Sequence, residues 1–232
     1  VSSHALVQGR VQPLRYDAIG LTSFSQDHLD YHGTMEDYLA AKCLLASEHL
    51  KPGGVAVAAV DGQPAAESFL AAARRTGATT WRASRGADRD AEICVLEDMS
   101  QGTGFDVQLR TPAGPARLRS PLIGGYNLDN ALVGLGLGLG LGIPLEHALI
   151  GLAGCRGAPG RLERVEVPGV PGPTVVVDYA HSPDAVGRAL EAVRPACRGA
   201  LWIVLGCGGD RDASKRAPMG RTRWLPWGFS TG

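Results

Sequence analysis

Short β-branched runs alternate with helix-period segments in the first half of the chain. Residues 55–60 read as a buried strand, residues 64–75 as a helix and residues 79–82 as another strand. This alternation is typical of an α/β fold with a largely parallel sheet. Shorter strands separated by Gly and Pro turns follow, over residues 93–96, 105–110 and 116–119. We predict that they form a small antiparallel subsheet.

A second unit is predicted to begin near Ala158, where a new βαβ pattern starts. Ser182 as the N-cap and Pro183 at the first helical position begin a helix that extends to about residue 193. Strands are expected on either side of it, over residues 161–167, 174–178 and 201–205. Together these elements make up half of a Rossmann-like domain. The predicted division of the chain is therefore 1–158, 159–220 and a divergent tail, 221–232.

The segment 34–50 predicts an amphipathic helix with a lysine on its apolar face. Thr34 is a suitable N-cap with Asp37 three residues on, which approximates a capping box, and Pro-Gly-Gly at 52–54 ends the helix. Lys42 interrupts an apolar stripe formed at helical spacing by Met35, Leu39, Leu45, Ala46 and His49. A buried, neutral amine can act as a nucleophile or capture carbon dioxide as a metal-binding carbamate. The alternative is a lysine whose charged end extends into solvent.

Composition narrows the class of protein without identifying it. The 232 residues carry 23 Lys and Arg against 23 Asp and Glu, so the net charge is zero and nucleic-acid binding is disfavoured. The 5 cysteines are dispersed without a C-x-x-C pair, which is typical of reduced thiols in a cytoplasmic protein. The longest apolar run, 131–145, is short and glycine-rich, so no membrane span is expected. The chain opens on Val1 inside a motif, which indicates a fragment.

Four stretches of the sequence resemble one family. They are VSSHALVQGRV at 1–11, SQDHLDYHGTMEDYLAAK at 25–42, DYAHSPDA at 178–185 and GCGGDRDASKR at 206–216. In order and residue choice they resemble the Mur ligases, which build the peptidoglycan stem peptide, and most of all the members that add its third, diamino residue. The resemblance implies a central ATPase-type α/β domain followed by a truncated Rossmann-like carboxyl-terminal domain. The implied activity is an ATP-dependent ligation that forms an amide through an acyl phosphate.

The resemblance also implies metal ligands and catalytic residues. His28 matches a Mg²⁺ ligand of the family, and Lys42 matches a carbamylated lysine that holds a second Mg²⁺. A carbamate supplies the oxygen ligands that Mg²⁺ prefers, whereas imidazole is a less usual partner. Arg161 matches an arginine that reaches the transferred phosphate, so Lys42 and Arg161 are the expected catalytic residues. ATP and Mg²⁺ are the implied cofactors.

Further matches concern the nucleotide and the substrates. By resemblance Asn127 and Asn130 contact the adenine ring, although the residues alone also allow them to cap the next helix. Asp178 matches a residue that bonds the ribose, and its place at the carboxyl end of a strand supports this, because ligands bind at that edge of open α/β sheets. Ser2, Gln8 and Arg10 match family positions that contact the muramoyl-peptide substrate. Arg211 matches an arginine that contacts the carboxylate of the incoming diamino acid.

Residues 130–142, NALVGLGLGLGLG, have the period-2 alternation of a strand. Their place after Asn127 matches a helix of the resembling family, so we predict a helix. Each interior glycine costs about 1 kcal/mol relative to alanine, so the series weakens such a helix by several kcal/mol. The alternative is low-complexity drift without functional content.

Parts of the family pattern are missing from these residues. The sequence has no G-x-x-x-x-G-K-[ST] phosphate loop, so we expect no turnover by this chain alone. From Arg221 the tail departs from the family pattern, for which a frameshift is the hypothesis and a divergent terminus the alternative. Two other possibilities stay open, a non-catalytic remnant that binds a nucleotide or amino acid and a pseudogene product without a stable fold. The expected partners of a monomer are UDP-MurNAc-dipeptide and a diamino acid, diaminopimelate rather than lysine.

Overall fold

A computed structural model describes residues 1–26, 28–102, 104–165 and 172–206 of the chain. Its elements in chain order are α1 (Ser3–Val7), β1 (Tyr16–Leu21), α2 (Leu29–His32), α3 (Met35–Glu48), β2 (Leu50–Ala59), α4 (Ala65–Arg74), β3 (Thr79–Ser84), β4 (Ile93–Asp98), β5 (Phe105–Thr111), β6 (Gly114–Ser120), α5 (Gly125–Gly140), α6 (Leu145–Gly154), β7 (Glu163–Val165), β8 (Val175–Val177) and α7 (Pro183–Val193). A short 3₁₀ turn, Arg194–Ala196, follows α7. None of the helices in these described ranges has the length and apolar character needed to cross a membrane.

A six-stranded sheet forms the centre of the molecule, with its strands in the order β1-β2-β3-β4-β5-β6. β1 to β4 pair in parallel. β5 pairs in an antiparallel manner with β4, and β6 pairs in an antiparallel manner with β5. The predictions of a largely parallel α/β sheet and of an antiparallel part after residue 92 are confirmed. The antiparallel strands do not form a separate subsheet, because β4 belongs to both parts.

Helices cover both faces of this sheet and bury two apolar cores. Successive residues of a strand point to opposite faces, so Val57 and Ala58 of β2 belong to different cores. On one face α5 packs against β1, β2 and β3, and α6 packs against β6. The core on this face contains Val57, Ile93, Leu109, Leu118, Leu132 and Leu135. On the other face α3 and α4 pack through Ile19, Ala46, Ala58, Phe69 and Leu70.

The predicted helix starts are present in the structure. The Thr34 side-chain oxygen accepts from the backbone N–H of Asp37 at 3.0 Å and donates to the Asp37 carboxylate at 2.8 Å. The Ser182 oxygen accepts from the N–H of Ala185 at 3.3 Å, with Pro183 at the first helical position. Local capping chemistry therefore located both starts correctly.

The buried face of α3 differs from the predicted stripe. Tyr38, Ala41 and Ala46 are its buried residues, whereas Met35 and Lys42 are half-buried. The reason is that α1 and α2 also pack against α3 and cover the side that carries Tyr38. Lys42 therefore lies at the border of the buried face.

β2 begins earlier than predicted. It runs from Leu50 and includes the Pro-Gly-Gly segment that was expected only to end the preceding helix. The pairing with β1 is irregular there, because Tyr16 is opposite Leu50 whereas Ala18 is opposite Val55. Such an irregularity accommodates a proline and glycines within a strand.

The carboxyl-terminal elements are shorter than expected. β7 and β8 have 3 residues each and pair in an antiparallel manner. The prediction of a strand over 201–205 is wrong, since residues 201–206 adopt no strand and Val204 is 99% exposed. A strand depends on hydrogen bonds to a neighbour, and this segment pairs with none of the described strands. The predicted tail, 221–232, lies outside the described residues.

The glycine-rich segment is helical, as predicted. α5 runs from Gly125 to Gly140, and its N-cap is Gly124 with φ 88° and no side-chain cap. The asparagines that follow Gly124 therefore lie inside the helix. The alternative in which they cap it is wrong.

Candidate active site

The amino-terminal motif and the His-rich loop lie side by side. Ser2 caps α1 through its side-chain oxygen. The next residue, Ser3, is buried, and its hydroxyl oxygen lies 2.8 Å from Nε2 of His32. Gln8 donates through Nε2 to the hydroxyl of Tyr31 at 3.4 Å. The structure thus brings Ser2 and Gln8, both expected to contact substrate, next to the helix that follows the expected metal ligand.

Tyr38 is the centre of an aromatic cluster that contacts both expected metal-binding residues. Its ring stacks with Phe24 and with His32, at centroid distances of 4.8 and 5.2 Å. The Lys42 Nζ lies 5.6 Å from its centroid, and the His28 ring lies 6.1 Å away in a T-shaped arrangement. The ammonium of Lys42 therefore lies near an aromatic ring, and the residue is half-buried.

His28 has a strained backbone and gives a test of the expected metal site. Its φ of 54° and ψ of 26° lie in the left-handed region, where residues other than glycine are concentrated at functional sites. Among the described residues no group of 3 or more His, Cys, Asp or Glu side chains is arranged to hold a metal. Mg²⁺ prefers oxygen ligands, so His28 and Lys42 fit it only when Lys42 is carbamylated and phosphate or water oxygens complete the shell.

His32 sits in an environment that favours its neutral form. Burial, together with the positive charges of His4 and His28, lowers the pKa of His32, and the carboxylate of Asp37 opposes this only in part. The ring is therefore neutral near pH 7 and can share one hydrogen bond with Ser3 as donor or acceptor.

An open groove of about 430 Å³ adjoins this cluster. Its walls come from α1, α2 and α3, and they are formed by Val7, Tyr31, His32, Asp37, Ala40, Ala41 and Leu44. Arg10 lies just after α1 and is exposed, with its backbone N–H bonded to the carbonyl of Ala5 at 2.9 Å. The groove offers apolar and polar walls to an extended substrate.

The two asparagines lie in the first turns of α5. Asn127 donates through Nδ2 to the carbonyl of Ile123 at 2.9 Å, and Asn130 donates through Nδ2 to Oδ1 of Asn127 at 3.4 Å. Asn127 is half-buried and Asn130 is exposed. Their amides therefore form a short connected row at the start of the helix.

Asp178 is held beside that helix start. It follows β8 directly, and its carboxylate accepts from the backbone N–H groups of Leu162 at 2.9 Å and Ala180 at 2.8 Å. Leu162 is buried against Gly124, where an added Cβ would lie 3.1 Å from its Cδ1. Asp178 and α5 are thus joined through one packed side chain.

Arg161 and Tyr126 complete this group. The Arg161 guanidinium lies over the ring of Tyr179, 5.3 Å from its centroid. Burial and the negative charge of Asp178 raise the pKa of Tyr126 to about 12, and Arg161 opposes this shift. The Tyr126 hydroxyl is therefore within electrostatic range of both charged groups. The residues expected to contact nucleotide, Asn127 among them, all lie around the start of α5.

The turn after β2 contacts both the aromatic cluster around Tyr38 and the residues at the start of α5. On one side, Gln63 accepts through Oε1 from the backbone N–H of Phe24 at 2.8 Å, and Phe24 stacks within the aromatic cluster. On the other side, Asp61 accepts from the backbone N–H of Arg85 at 2.6 Å, and Arg85 donates to Asp129 on α5 at 2.9 Å. Both groups therefore meet at the carboxyl edge of the parallel strands, where ligands bind in α/β sheets.

Several residues of this site were not predicted from the sequence. Gln63 and Tyr126 lie outside the four stretches, and Tyr38 lies within one of them but was given no role. The contacts of these three residues in the structure show their place in the site. Asp61 follows a buried strand, and this position at a strand's carboxyl end was the available signal. Arg211 lies outside the described residues, so its expected role stays a prediction.

Two family profiles match this chain. The profile of the Mur ligase middle domain matches residues 1–138, which is more than half of the chain. The chain belongs to the Mur ligase family. A second profile, the Mur ligase, glutamate ligase domain, matches residues 160–224. The family and the fold class inferred from the four motifs are thereby confirmed.

Named relatives agree with this assignment. The UDP-N-acetylmuramoyl-L-alanyl-D-glutamate--2,6-diaminopimelate ligase of Parasynechococcus marenigrum (strain WH8102) is 46% identical over 222 residues, which cover 94% of this chain and 44% of the relative. The Zymomonas mobilis subsp. mobilis enzyme of the same name is 42% identical over 220 residues, covering 95% of this chain and 44% of that enzyme. The chain therefore spans less than half the length of the relatives it matches.

Solved structures give the same picture. A structure of UDP-N-acetylmuramoyl-L-alanyl-D-glutamate--2,6-diaminopimelate ligase superimposes with a TM-score of 0.75 and 31% identity, over 96% of this chain and 44% of that one. Mycobacterium tuberculosis folylpolyglutamate synthase, solved with ADP and AMPPCP, gives a TM-score of 0.61 and 27% identity over 78% of this chain and 39% of that one.

Proposed function

We propose that this chain is part of an ATP-dependent ligase that joins diaminopimelate to UDP-MurNAc-L-Ala-D-Glu. In that reaction the D-glutamyl carboxylate takes the terminal phosphoryl group of ATP to give an acyl phosphate and ADP. The amine of the diamino acid then attacks the acyl carbon, and phosphate leaves as the amide forms. Support comes from relatives of that name at 46% and 42% identity, whose whole length is about twice that of the matched part.

The observation that carries the proposal is the turn after β2, which contacts both residue groups. Gln63 bonds the segment that packs on the Tyr38 cluster, and Asp61 bonds Arg85, which reaches α5. A ligase must bring a nucleotide phosphate and an acceptor carboxylate to one point, because phosphoryl transfer depends on positioning. One turn that contacts both groups supports such an arrangement.

The residues around the start of α5 have hydrogen-bonding groups that can bind a nucleotide. Each Asp178 carboxylate oxygen accepts one backbone N–H and keeps a further lone pair for a ribose hydroxyl. The amide row of Asn127 and Asn130 can read the edge of an adenine ring by hydrogen bonds. Arg161 is exposed and presents several N–H donors, so it can stabilise the negative charge on a transferring phosphoryl group.

The residues around the groove between α1, α2 and α3 are expected to bind the substrate that accepts the phosphoryl group. Ser2, Gln8 and Arg10 carry hydroxyl, amide and guanidinium groups that suit peptide and carboxylate oxygens, and the groove lies beside them. Mg²⁺ ions bound at His28 and at carbamylated Lys42 would supply positive charge near the phosphoryl oxygens. Lys42 lies half-buried beside Tyr38, the ring that also contacts His28.

Adenine contact can be tested with unusual selectivity, because Asn127 and Asn130 are the only asparagines in the sequence. Selective ¹⁵N-asparagine labelling therefore gives NMR signals from these two residues alone. We expect ADP at millimolar concentration to shift both side-chain amide signals, and GDP to shift them less. Asn127→Ala should weaken ADP binding about tenfold, which is about 1.4 kcal/mol. Signals that do not respond to ADP in the folded chain would refute the adenine assignment.

Catalysis by this chain alone is not expected. Its sequence has no Gly-Lys-Thr phosphate loop, so the ATP phosphates lack their backbone cradle and lysine. With ATP, Mg²⁺, UDP-MurNAc-dipeptide and diaminopimelate present, ADP release should not exceed that of a sample without the dipeptide. Dipeptide-dependent ADP release from the purified chain would contradict the expectation.

One alternative to the ligase is a remnant that binds nucleotide or amino acid without catalysis, although the absence of a phosphate loop from this sequence argues against tight nucleotide binding. Sequencing the DNA on both sides of the coding region distinguishes the two. The resemblance implies an Asp-Asn-Pro-Arg motif that selects the amino acid and lies in the remaining part of the carboxyl-terminal domain. An in-frame Gly-Lys-Thr loop upstream and this motif downstream, after correction of one frame change, would support a working ligase. Their absence would support the remnant. A cytoplasmic location and a monomeric state belong to the ligase proposal as expectations.

A further inference from the structure

A charged cluster connects the ends of β2 and β3 to the start of α5. Asp61 follows β2, and its carboxylate accepts from the Ser84 hydroxyl at 2.8 Å and from the Arg85 backbone N–H at 2.6 Å. Arg85 extends to α5 and donates through Nε to Asp129 at 2.9 Å. The Asp61 and Asp129 side chains are 9% and 14% exposed. Two nearly buried carboxylates therefore hold one arginine between them.

The arginine also touches the helix backbone. An added Cβ on Gly125, the first residue of α5, would lie 2.4 Å from Nη1 of Arg85. The guanidinium therefore lies directly against the helix start, in space that any side chain at this position would fill. Arg85 is restrained by Asp61 on the strand side and by Gly125 and Asp129 on the helix side.

This contact matters because of what the first turns of α5 carry. Asp129 lies between Asn127 and Asn130, whose amides form the row described above. The N-cap residue, Gly124, makes no side-chain hydrogen bond, so it does not fix the helix start by capping. The ion pair with Arg85 is a connection from this turn to the rigid sheet.

We propose that Arg85 and Asp129 are positioning residues for the nucleotide, which orient the first turns of α5 so that Asn127 and Asn130 present their amides to the adenine ring. The inference rests on the proposed function, since it assumes that these asparagines contact nucleotide. It adds a role for two residues that belong to none of the four motifs.

Burial disfavours the charged form of Asp129 by more than the contact with Arg85 favours it. Burial raises the pKa of Asp129 to about 6; Arg85 opposes the shift and the negative charge of Asp61 adds to it. These are the charged groups shown to act on Asp129 within the described part of the chain. A raised pKa means that the folded protein favours the neutral acid, so the charged form is held at a cost. Buried ion pairs of this kind can instead fix a specific geometry.

A matched set of variants tests the proposal in the full chain. Asp129→Asn keeps the size and shape of the side chain but removes its charge. We expect its urea midpoint to equal or exceed that of the wild type, whereas its Kd for ADP rises about tenfold. Hydrogen exchange at the Leu128 amide, which donates to Gly124 in the first turn, should become faster. Asp106→Asn, which removes the surface ion pair with Arg117, is the control and should change neither ADP affinity nor this exchange.

The outcomes separate this proposal from the proposed function. If Asp129→Asn binds ADP like the wild type while Asn127→Ala loses binding, the positioning role is wrong and the adenine assignment stands. If ADP fails to shift the asparagine signals of the wild type, the adenine assignment fails. In that case hydrogen exchange at the Leu128 amide still tests whether the ion pair positions the first turn of α5. An unchanged exchange rate in both Asp129→Asn and Arg85→Gln would overturn the positioning role. A parallel loss of stability and affinity would also overturn it, because a purely structural residue gives that result.

Discussion

The glycines of α5 offer a sharp test, since neighbours in one helix face different surroundings. An added Cβ at Gly136 would lie 2.6 Å from Cδ1 of Ile93 and 2.9 Å from Cγ1 of Val57, both in the sheet core. At Gly134, which is exposed, the nearest atom would be 4.0 Å away on Leu152. We therefore expect Gly134→Ala to stabilise the protein and Gly136→Ala to destabilise it.

The magnitudes follow from two opposing effects. Replacing an interior helical glycine with alanine gains about 1 kcal/mol in either variant, because alanine loses less backbone entropy on folding. At Gly136 the new methyl group must displace Val57, whose branched side chain is stiff, and overpacking of this kind costs about 1 to 3 kcal/mol. The unfolding free energies of the two variants should therefore differ by about 2 kcal/mol, with Gly134→Ala the more stable.

Urea titrations followed by far-UV circular dichroism measure this difference. For a slope of about 2 kcal/mol per M, a difference of about 2 kcal/mol separates the two midpoints by about 1 M urea. The wild type should lie between them or near Gly136→Ala. Equal stabilisation of both variants would refute the close approach of α5 to the sheet, and it would favour the interpretation of the glycines as drift.

Three further predictions concern charge, capping and modification. The pKa of Asp129 rises from 3.8 to about 6 on folding, so the folded chain takes up this proton at a higher pH than the unfolded chain does. Stability from this group therefore grows as the pH falls, by about 1 kcal/mol between pH 7 and pH 5. Urea titrations should show that Asp129→Asn lacks it, and equal pH dependence in both proteins would contradict this. Thr34→Ala removes the α3 cap and should cost about 1 kcal/mol in the same assay, so an unchanged midpoint would count against the cap. With ¹³C-bicarbonate, a carbamate NMR signal is expected from the wild type and not from Lys42→Arg; a signal in both would exclude Lys42 as its source.

Much of the fold could be predicted because its signals are local. The starts of α3 and α7 depend on side chains that bond backbone groups three residues away, at Thr34 and Ser182. The buried part of β2 is a continuous apolar run, residues 55–59, which predicted a strand there. The error at β2 has the same origin, since Pro-Gly-Gly at 52–54 is a local signal for a chain break that the pairing with β1 overrides.

Strand pairing was predictable only in part, because a strand depends on its neighbours as much as on its own residues. Residues 201–205 have the composition of a buried strand, yet among the described residues they have no pairing partner and do not form one. β8 has a similar composition and forms because β7 lies beside it. An apolar run therefore shows that a segment can form a strand, but the strand forms only where another strand is available to pair with it.

In the candidate site, too, residues within motifs could be predicted from the sequence, whereas residues that act through distant contacts could not. Motif resemblance indicated Asn127, Lys42 and Asp178, whose residue types already suggest chemistry. Asp129 is two residues from Asn127 but was not singled out, because an acidic residue near a helix start needs no special explanation. Its partner Arg85 is 44 positions away, and its burial results from packing between sheet and helix. Residues that position a site can thus be chemically ordinary in sequence, and they become recognisable only when a buried charge is found bonded to a distant element.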